Sequence, residues 1–235
     1  MAVDKLKNHL ESIGRDYRIL TGRPSFQYYL KRRKEHLVKL CDGVITAESV
    51  ILDLGSGNGN YLEVLKDYRY ILSLDLSFNA LKAHELPPDK VFRLNADVQY
   101  LPLQSDSVDV VFLFGLLHHL PDSLSLVFSE LSRVLKKGGM VIIDEPNGYN
   151  PIWAVYMRIH EIDRVGTRPL FPATLRKNAV RNGLKVQSEL FWGLVPPVPE
   201  NRIAIKFFAG IGEWVEKTFL ARICTRFSLV LKKKE

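Results

Sequence analysis

Short runs of apolar residues alternate with stretches of helical spacing through the middle of the chain. The runs are Val50–Leu54, Tyr70–Leu74, Val91–Leu94, Val108–Phe114 and Met140–Ile143. They read as strands buried on both faces, and Val108–Phe114 is fully apolar after Asp109. The stretches 60–66, 77–84 and 123–135 carry helical periodicity, the last stopped by Lys136-Lys137-Gly138-Gly139. Strand–helix alternation of this kind specifies βαβ units and a parallel sheet covered by helices on both faces. Ahead of it, residues 25–41 form a predicted helix after the breaker Gly22-Arg23-Pro24. Beyond residue 150 the pattern predicts helices at about 151–164 and 172–182 and a strand at 184–191. A proline-rich link (Pro196, Pro197, Pro199), a helix at about 203–219 and a strand Arg222–Leu231 come next, the basic end of the last suiting a sheet edge.

With 235 residues, 46% hydrophobic and 25% charged, the composition is that of a globular protein and excludes a disordered or fibrous chain. No apolar run reaches the roughly 20 residues of a membrane-spanning helix. Met1–Leu10 mixes Asp4, Lys5, Lys7 and His9 with single apolar residues, unlike a signal peptide, and the expected compartment is the cytoplasm. Cys41 and Cys224 lie far apart with no metal-ligand or redox spacing, so no metal site is expected.

The net charge of +7 is unevenly spread: residues 1–48 carry 10 basic against 6 acidic residues, 49–150 carry 8 against 13, and 151–235 carry 15 against 7. An acidic centre between basic flanks implies that centre and flanks face different partners. Lys31-Arg32-Arg33-Lys34 lies within a predicted helix, where successive residues point around the wheel, so it forms no one-sided phosphate patch.

Asp53-Leu54-Gly55-Ser56-Gly57-Asn58-Gly59 stands where the first strand meets the expected helix at 60–66. Glycines there let the backbone take positive φ and let a ligand touch the main chain. A helix after the loop would add free N–H groups and a positive dipole end. A dinucleotide fingerprint would need its third glycine where Asn60 stands, and Asp53 is a poor neighbour for a pyrophosphate but a good one for a cation. Asp75 ends the second strand, where a carboxylate can accept both hydroxyls of a ribose. Asp97 comes just after the third, placed to accept from an adenine amino group, with Val98 offering a backbone N–H. A helix cap or turn is the alternative duty for each aspartate.

Val50–Gly59 (VILDLGSGNG), Leu74–Ser77 (LDLS), Ala96–Leu103 (ADVQYLPL), Ser107–Leu120 (SVDVVFLFGLLHHL) and Leu135–Ile143 (LKKGGMVII) resemble, in order and spacing, the motifs of class I S-adenosylmethionine-dependent methyltransferases. They are most similar to the small-molecule branch that includes the ubiquinone/menaquinone biosynthesis enzymes. The resemblance covers roughly residues 45–150 and, more loosely, 172–191. It implies an α/β fold with a doubly wound, mostly parallel seven-stranded sheet, one antiparallel edge-side strand (Arg222–Leu231) and helical substrate-side additions. It also implies an N-terminal helical cap at 1–48 and a methyltransferase domain at 49–235, with the cofactor half at 49–150 and insertions at about 146–171 and 192–220. Gly55, Ser56, Gly57, Asn58 and Gly59 then approach the methionine part of S-adenosylmethionine, supported by Asp53. Asp75 with Leu76 takes the ribose, Asp97 with Val98 the adenine, and Phe114-Gly115 the methionine amino group.

The expected reaction is in-line transfer of the methyl group to a small acceptor, hydrophobic or anionic. His119 and His118, after the fourth strand, are candidate proton acceptors, or else a packing motif that opens a helix. Phe114-Gly115-Leu116-Leu117 lacks the polar cradle of nucleobase amine methylation, which disfavours DNA. The acceptor side is aromatic-rich: Tyr17, Phe26, Tyr28, Tyr29, Trp153, Tyr156, Phe171, Trp192, Phe207, Phe208 and Trp214. Ile203, Phe207, Ile211 and Trp214/Val215 form a stripe, widened by Phe208 and Phe219, expected to pack on the sheet, or to act as a lid or touch a membrane surface. The alternatives are a transfer-RNA or protein methyltransferase, encouraged by the basic flanks but not favoured because those flanks are more aromatic-apolar than a phosphate-tracking surface requires, and a non-catalytic cofactor-binding partner subunit.

Overall fold

In a computed structural model, which describes residues 22–84, 89–159, 168–195 and 201–234, the chain builds one seven-stranded sheet. Its order is β3-β2-β1-β4-β5-β7-β6, with β1 Val50–Leu54, β2 Tyr70–Asp75, β3 Val91–Asn95, β4 Val108–Phe114, β5 Leu135–Pro146, β6 Leu184–Trp192 and β7 Arg226–Lys233. The first five strands are parallel, and β7 runs antiparallel to both β5 and β6. The expected antiparallel strand is therefore present, but it is not an edge. β7 is buried between two neighbours along most of its length, and β6 occupies the rim.

Side-chain alternation divides the core in two. Leu52, Leu54, Val111, Leu113, Val141 and Ile143 face helix α3 (Leu124–Val134) and helix α5 (Pro172–Arg181). Ile51, Val110, Phe112, Phe114 and Ile142 face helix α1 (Pro24–Cys41), which brings Leu30, Leu37 and Cys41. Helix α1 is thus packed into the core of the sheet rather than set apart from it as a cap. The polar residue within β4, Asp109, accepts the Val50 N–H at 2.9 Å and Lys136 Nζ at 2.8 Å, so it ties three neighbouring strands. Both cysteines are buried free thiols.

Helix α2 (Phe78–Lys82) is shorter than expected, and α4 spans Pro151–Ile159. The expectation of a helix at 60–66 fails: only a single 3₁₀ turn forms, Leu62–Val64. The chain has few residues between β1 and β2, and the glycine loop uses the first of them. Leu62 and Leu65 still bury their side chains, so one turn satisfies the apolar spacing, and Asp67 closes it with φ 55°. The expected 203–219 helix ends early: α6 spans Arg202–Val215, and a 3₁₀ turn comes after it at Phe219–Ile223. Tyr17, the proline link at 196–199, the Tyr156 side chain and the ends of the cap and of the 151–164 segment lie outside the described residues.

Candidate active site

The carboxyl ends of β1, β2, β3 and β4 bring the sequence-predicted residues to one rim. Gly55, Gly57 and Gly59 all have positive φ, at 67°, 55° and 67°. The turn binds itself to β2: the N–H groups of Gly55 and Ser56 donate to the Leu74 carbonyl at 2.8 and 3.2 Å, and that of Gly59 to the Ser56 carbonyl at 2.9 Å. Because the loop leads into no α-helix, the dipole contribution expected there is absent. Three polar side-chain atoms at the loop are instead buried without partners: Asp53 Oδ2, Ser56 Oγ and Asn58 Oδ1. Buried polar groups left so cost free energy unless something completes them. A cationic, hydrogen-bonding ligand fits this donor and acceptor set.

Asp53 is fully buried, and its other oxygen accepts the hydroxyl of Tyr61. Burial pushes its carboxyl up to about 7, helped by the nearby Asp75 carboxylate and opposed by Tyr61 and Arg33. Asp75, at the end of β2, holds the turn in place: Oδ2 accepts the Gly57 N–H at 2.9 Å and Oδ1 the Ser77 N–H at 2.8 Å. The helix-cap duty falls to Ser77, whose side chain accepts from Ala80. Asn95 Nδ2 donates to the Asp75 and Leu76 carbonyls at 3.0 and 2.9 Å, which fixes the turn beyond β2. The half-buried Asp97 accepts from the Gln99 N–H at 2.9 Å and from Gln99 Nε2 at 3.2 Å, beside the buried Val98.

At the end of β4, Phe114 packs against Tyr61 with ring centroids 4.7 Å apart, and Gly115 turns the chain with φ 66°. Glu145, near the end of β5 and absent from the sequence-predicted set, organises the Gly115–His119 turn. Its Oε1 accepts the N–H groups of Leu116 and Leu117 at 2.8 and 2.6 Å, and its Oε2 lies 2.7 Å from His118 Nδ1. His118 is thereby held in a buried structural contact. His119 is half-buried, its ring centroid 4.1 Å from that of His118.

The preceding residue, Asp144, points to the other face, as strand alternation requires. It accepts from Arg33 Nη2 at 3.0 Å, Arg226 Nε at 2.8 Å, and Trp192 Nε1 and Ser228 Oγ at 3.0 Å each. Burial opposes its charge, yet Arg226 and Arg33 hold its carboxyl below the usual range. Arg33 also lies over the Phe114 ring, 5.4 Å from the centroid. The four consecutive basic residues Lys31–Lys34 of α1 part as the wheel requires: Lys31 faces Glu35, Arg32 pairs with Glu216 at 2.6 Å, Arg33 with Asp144, and Lys34 with Glu63 at 2.6 Å. Two aromatic residues expected to line the acceptor side are structural. Trp192 is fully buried on Asp144, and the Tyr29 hydroxyl donates to the Val195 carbonyl at 2.6 Å and contacts Thr225 Oγ1 at 2.6 Å. A signal for Asp144 and Glu145 existed: two consecutive acids ending an apolar strand must serve opposite faces.

Residues 52–143 match a family model described as a methyltransferase domain. The chain is 28% identical to the demethylmenaquinone methyltransferase of Lysinibacillus sphaericus, over 63% of this chain and 67% of that one. It is 36% identical to a tRNA (carboxymethyluridine(34)-5-O)-methyltransferase of Arabidopsis thaliana, over 40% of this chain and 23% of that one. The chain spans between 14% and 67% of the length of the first curated relatives it matches. The fold is that of geranyl diphosphate C-methyltransferase from Streptomyces coelicolor, solved with S-adenosyl-L-homocysteine, with a TM-score of 0.65, 16% identity and coverage of 93% of this chain and 86% of that one. Sheet order, glycine loop and family match agree: residues 52–143 are similar to a methyltransferase domain, and the chain has the fold of S-adenosylmethionine-dependent methyltransferases.

Proposed function

We propose that this chain transfers the methyl group of S-adenosylmethionine to a small acceptor, hydrophobic or anionic. The observation that carries this reading is the set of three buried, unpartnered oxygens at the glycine loop, on a rim that also holds the Asp75 and Asp97 carboxylates. A cation with hydrogen-bond donors completes such a rim, and a diphosphate would be repelled by it.

The cofactor supplies an electrophilic methyl group on a sulfonium, so the hard chemistry is its own. The chain's residues have to bind, orient and exclude water. In this reading Gly55, Ser56, Gly57, Asn58 and Gly59 take the methionine part, with Asp53 beneath them. Asp75 with Leu76 takes the ribose, Asp97 with Val98 the adenine ring, and Phe114 and Gly115 the amino group. Glu145 fixes the Gly115–His119 turn, and His119 on that turn is the candidate to accept a proton when the acceptor must lose one.

The 28% identity to a demethylmenaquinone methyltransferase supports a hydrophobic acceptor, and the pairing of Lys31, Arg32, Arg33 and Lys34 with acids weakens a phosphate-tracking role for that cluster. Incubation with methyl-tritiated cofactor against isoprenoid quinols, hydrophobic acids and unmodified tRNA tests the reading. Label in the organic-soluble acceptors supports it; label confined to tRNA overturns it.

A further inference from the structure

Helix α6 turns its apolar stripe outward. Ile203, Phe207, Ile211 and Trp214 recur at the spacing of one helical face, and Ile203, Phe207 and Trp214 are 81%, 63% and 64% exposed. The face that packs is the opposite one, through Ile205, Gly212 and Val215, with Gly212 close against Leu194. The stripe therefore does not pack on the sheet as its hydrophobicity suggested. The 3₁₀ turn beyond the helix extends it with Phe219, 89% exposed, and with the exposed Leu220 and Ile223. Asn147 and Asn150 donate to the carbonyls of Arg222 and Ile223, which sets the start of α4 beside this turn. Two more exposed aliphatic residues, Ile152 and Val155, lie there.

The charges around this surface are mostly basic. Of its two acids, Glu216 is drawn inward to Arg32 of α1 and accepts the Gly193 N–H at 2.9 Å, while Glu213 is exposed and reaches the same arginine at 3.4 Å. Arg202, Lys206, Lys217 and Arg222 remain exposed; Lys206 stands about 60° from Ile203 on a regular helical wheel, and Lys217 comes just after the helix end. Exposed large apolar residues gathered on one face mark an interaction surface. Aromatic and aliphatic residues on one face with lysine and arginine beside them are the pattern of a helix lying in a membrane interface, where anionic headgroups meet the basic rim.

We propose that the α6 face and the Phe219–Ile223 turn dock this chain on an anionic lipid surface. The face lies beyond the carboxyl end of β5, the same end of the sheet as the glycine loop. The proposal does not depend on which acceptor is methylated.

Vesicle flotation with the full chain tests it, using phosphatidylcholine vesicles with and without phosphatidylglycerol. The protein is expected to float with the phosphatidylglycerol vesicles and to be released by salt. F207E/W214E should weaken binding at least about tenfold. K206E/K217E, both at exposed sites, should lose about fivefold per charge. S-adenosylhomocysteine affinity and melting temperature should stay at the wild-type value in both variants. Failure of the native chain to float with either vesicle overturns the proposal, as does native-like flotation of both variants. Sedimentation velocity showing a dimer that F207E/W214E converts to monomer overturns it too, by assigning the face to a second copy.

Discussion

Gly59 cannot carry a side chain because the imidazole of His84 stands where its Cβ would be. His84 is itself buried, with Nε2 3.1 Å from Ser73 Oγ on β2. The glycine loop is thus pressed directly onto the second strand, and this contact holds the turn close to Asp75. Burial lowers the His84 imidazole to about 4, with Arg93 nearby, so it packs as a neutral ring.

The G59A substitution meets both this overlap and a φ of 67°. It should cost about 2–5 kcal/mol, from left-handed strain of about 1–2 kcal/mol and overpacking of about 1–3 kcal/mol. In an H84A background only the strain should remain. Urea unfolding of the four proteins measures the coupling, and equal costs in both backgrounds would show that His84 is not the obstacle.

Removing Glu145 strands three groups at once. E145A leaves the amides of Leu116 and Leu117 and the Nδ1 of His118 without their acceptor, and should destabilise by about 3–5 kcal/mol. E145Q keeps one acceptor oxygen and should cost about 1–2 kcal/mol. Denaturant midpoints falling in the order wild type, E145Q, E145A are expected. The reverse order for the two variants would contradict the assigned contacts.

Asp53 makes ligand binding depend on pH. Its carboxyl sits at about 7 in the folded protein, above its ordinary value of 3.8. A raised carboxyl stabilises the fold in its protonated form, so this contribution is complete below pH 3.8 and is lost as pH rises to about 7. A cationic ligand favours the ionised form, so affinity for S-adenosylhomocysteine should rise about tenfold between pH 6 and pH 8, with a proton released. D53N should flatten that profile while still binding. An equal slope in D53N would place the titrating group elsewhere.

The buried Asp144 holds α1, β6 and β7 together through Arg33, Trp192, Arg226 and Ser228. D144N should cost about 3–5 kcal/mol, since it leaves buried arginine charge unmatched. R33M removes only the half-buried partner and should cost less. Thermal melts of the two variants check the order.

Strands β1 and β4 were legible because segments buried on both faces have to be apolar throughout; β3, expected to be buried likewise, is instead largely exposed beyond Val91. The glycine turn was legible because positive φ at Gly55, Gly57 and Gly59 needs residues without Cβ. The helix expected after that turn was not, since the spacing of Leu62 and Leu65 fits one 3₁₀ turn as well as a longer helix. The stripe of α6 shows the same limit from another side. Periodicity marks Phe207 and Trp214 as sharing a face, but whether that face is covered depends on the neighbouring element. Leu194 takes the face of Gly212 instead. The pair Asp144-Glu145 marks two opposite faces, but the partners of Glu145, the backbone amides of Leu116 and Leu117 and the ring of His118, come together only in the fold. The place of β7 inside the sheet depends on the late strand β6, whose own pattern is half exposed.

The rim of acids and glycines is assigned here to an adenosyl sulfonium and its thioether product. Titration calorimetry with S-adenosylhomocysteine, run beside NAD and repeated on D75A, puts that assignment to the test. Binding of S-adenosylhomocysteine, none of NAD, and at least about a tenfold loss in D75A are expected, since a carboxylate accepting ligand hydroxyls contributes about 1.5–3 kcal/mol. No heat with S-adenosylhomocysteine, or an unchanged affinity in D75A, would refute it.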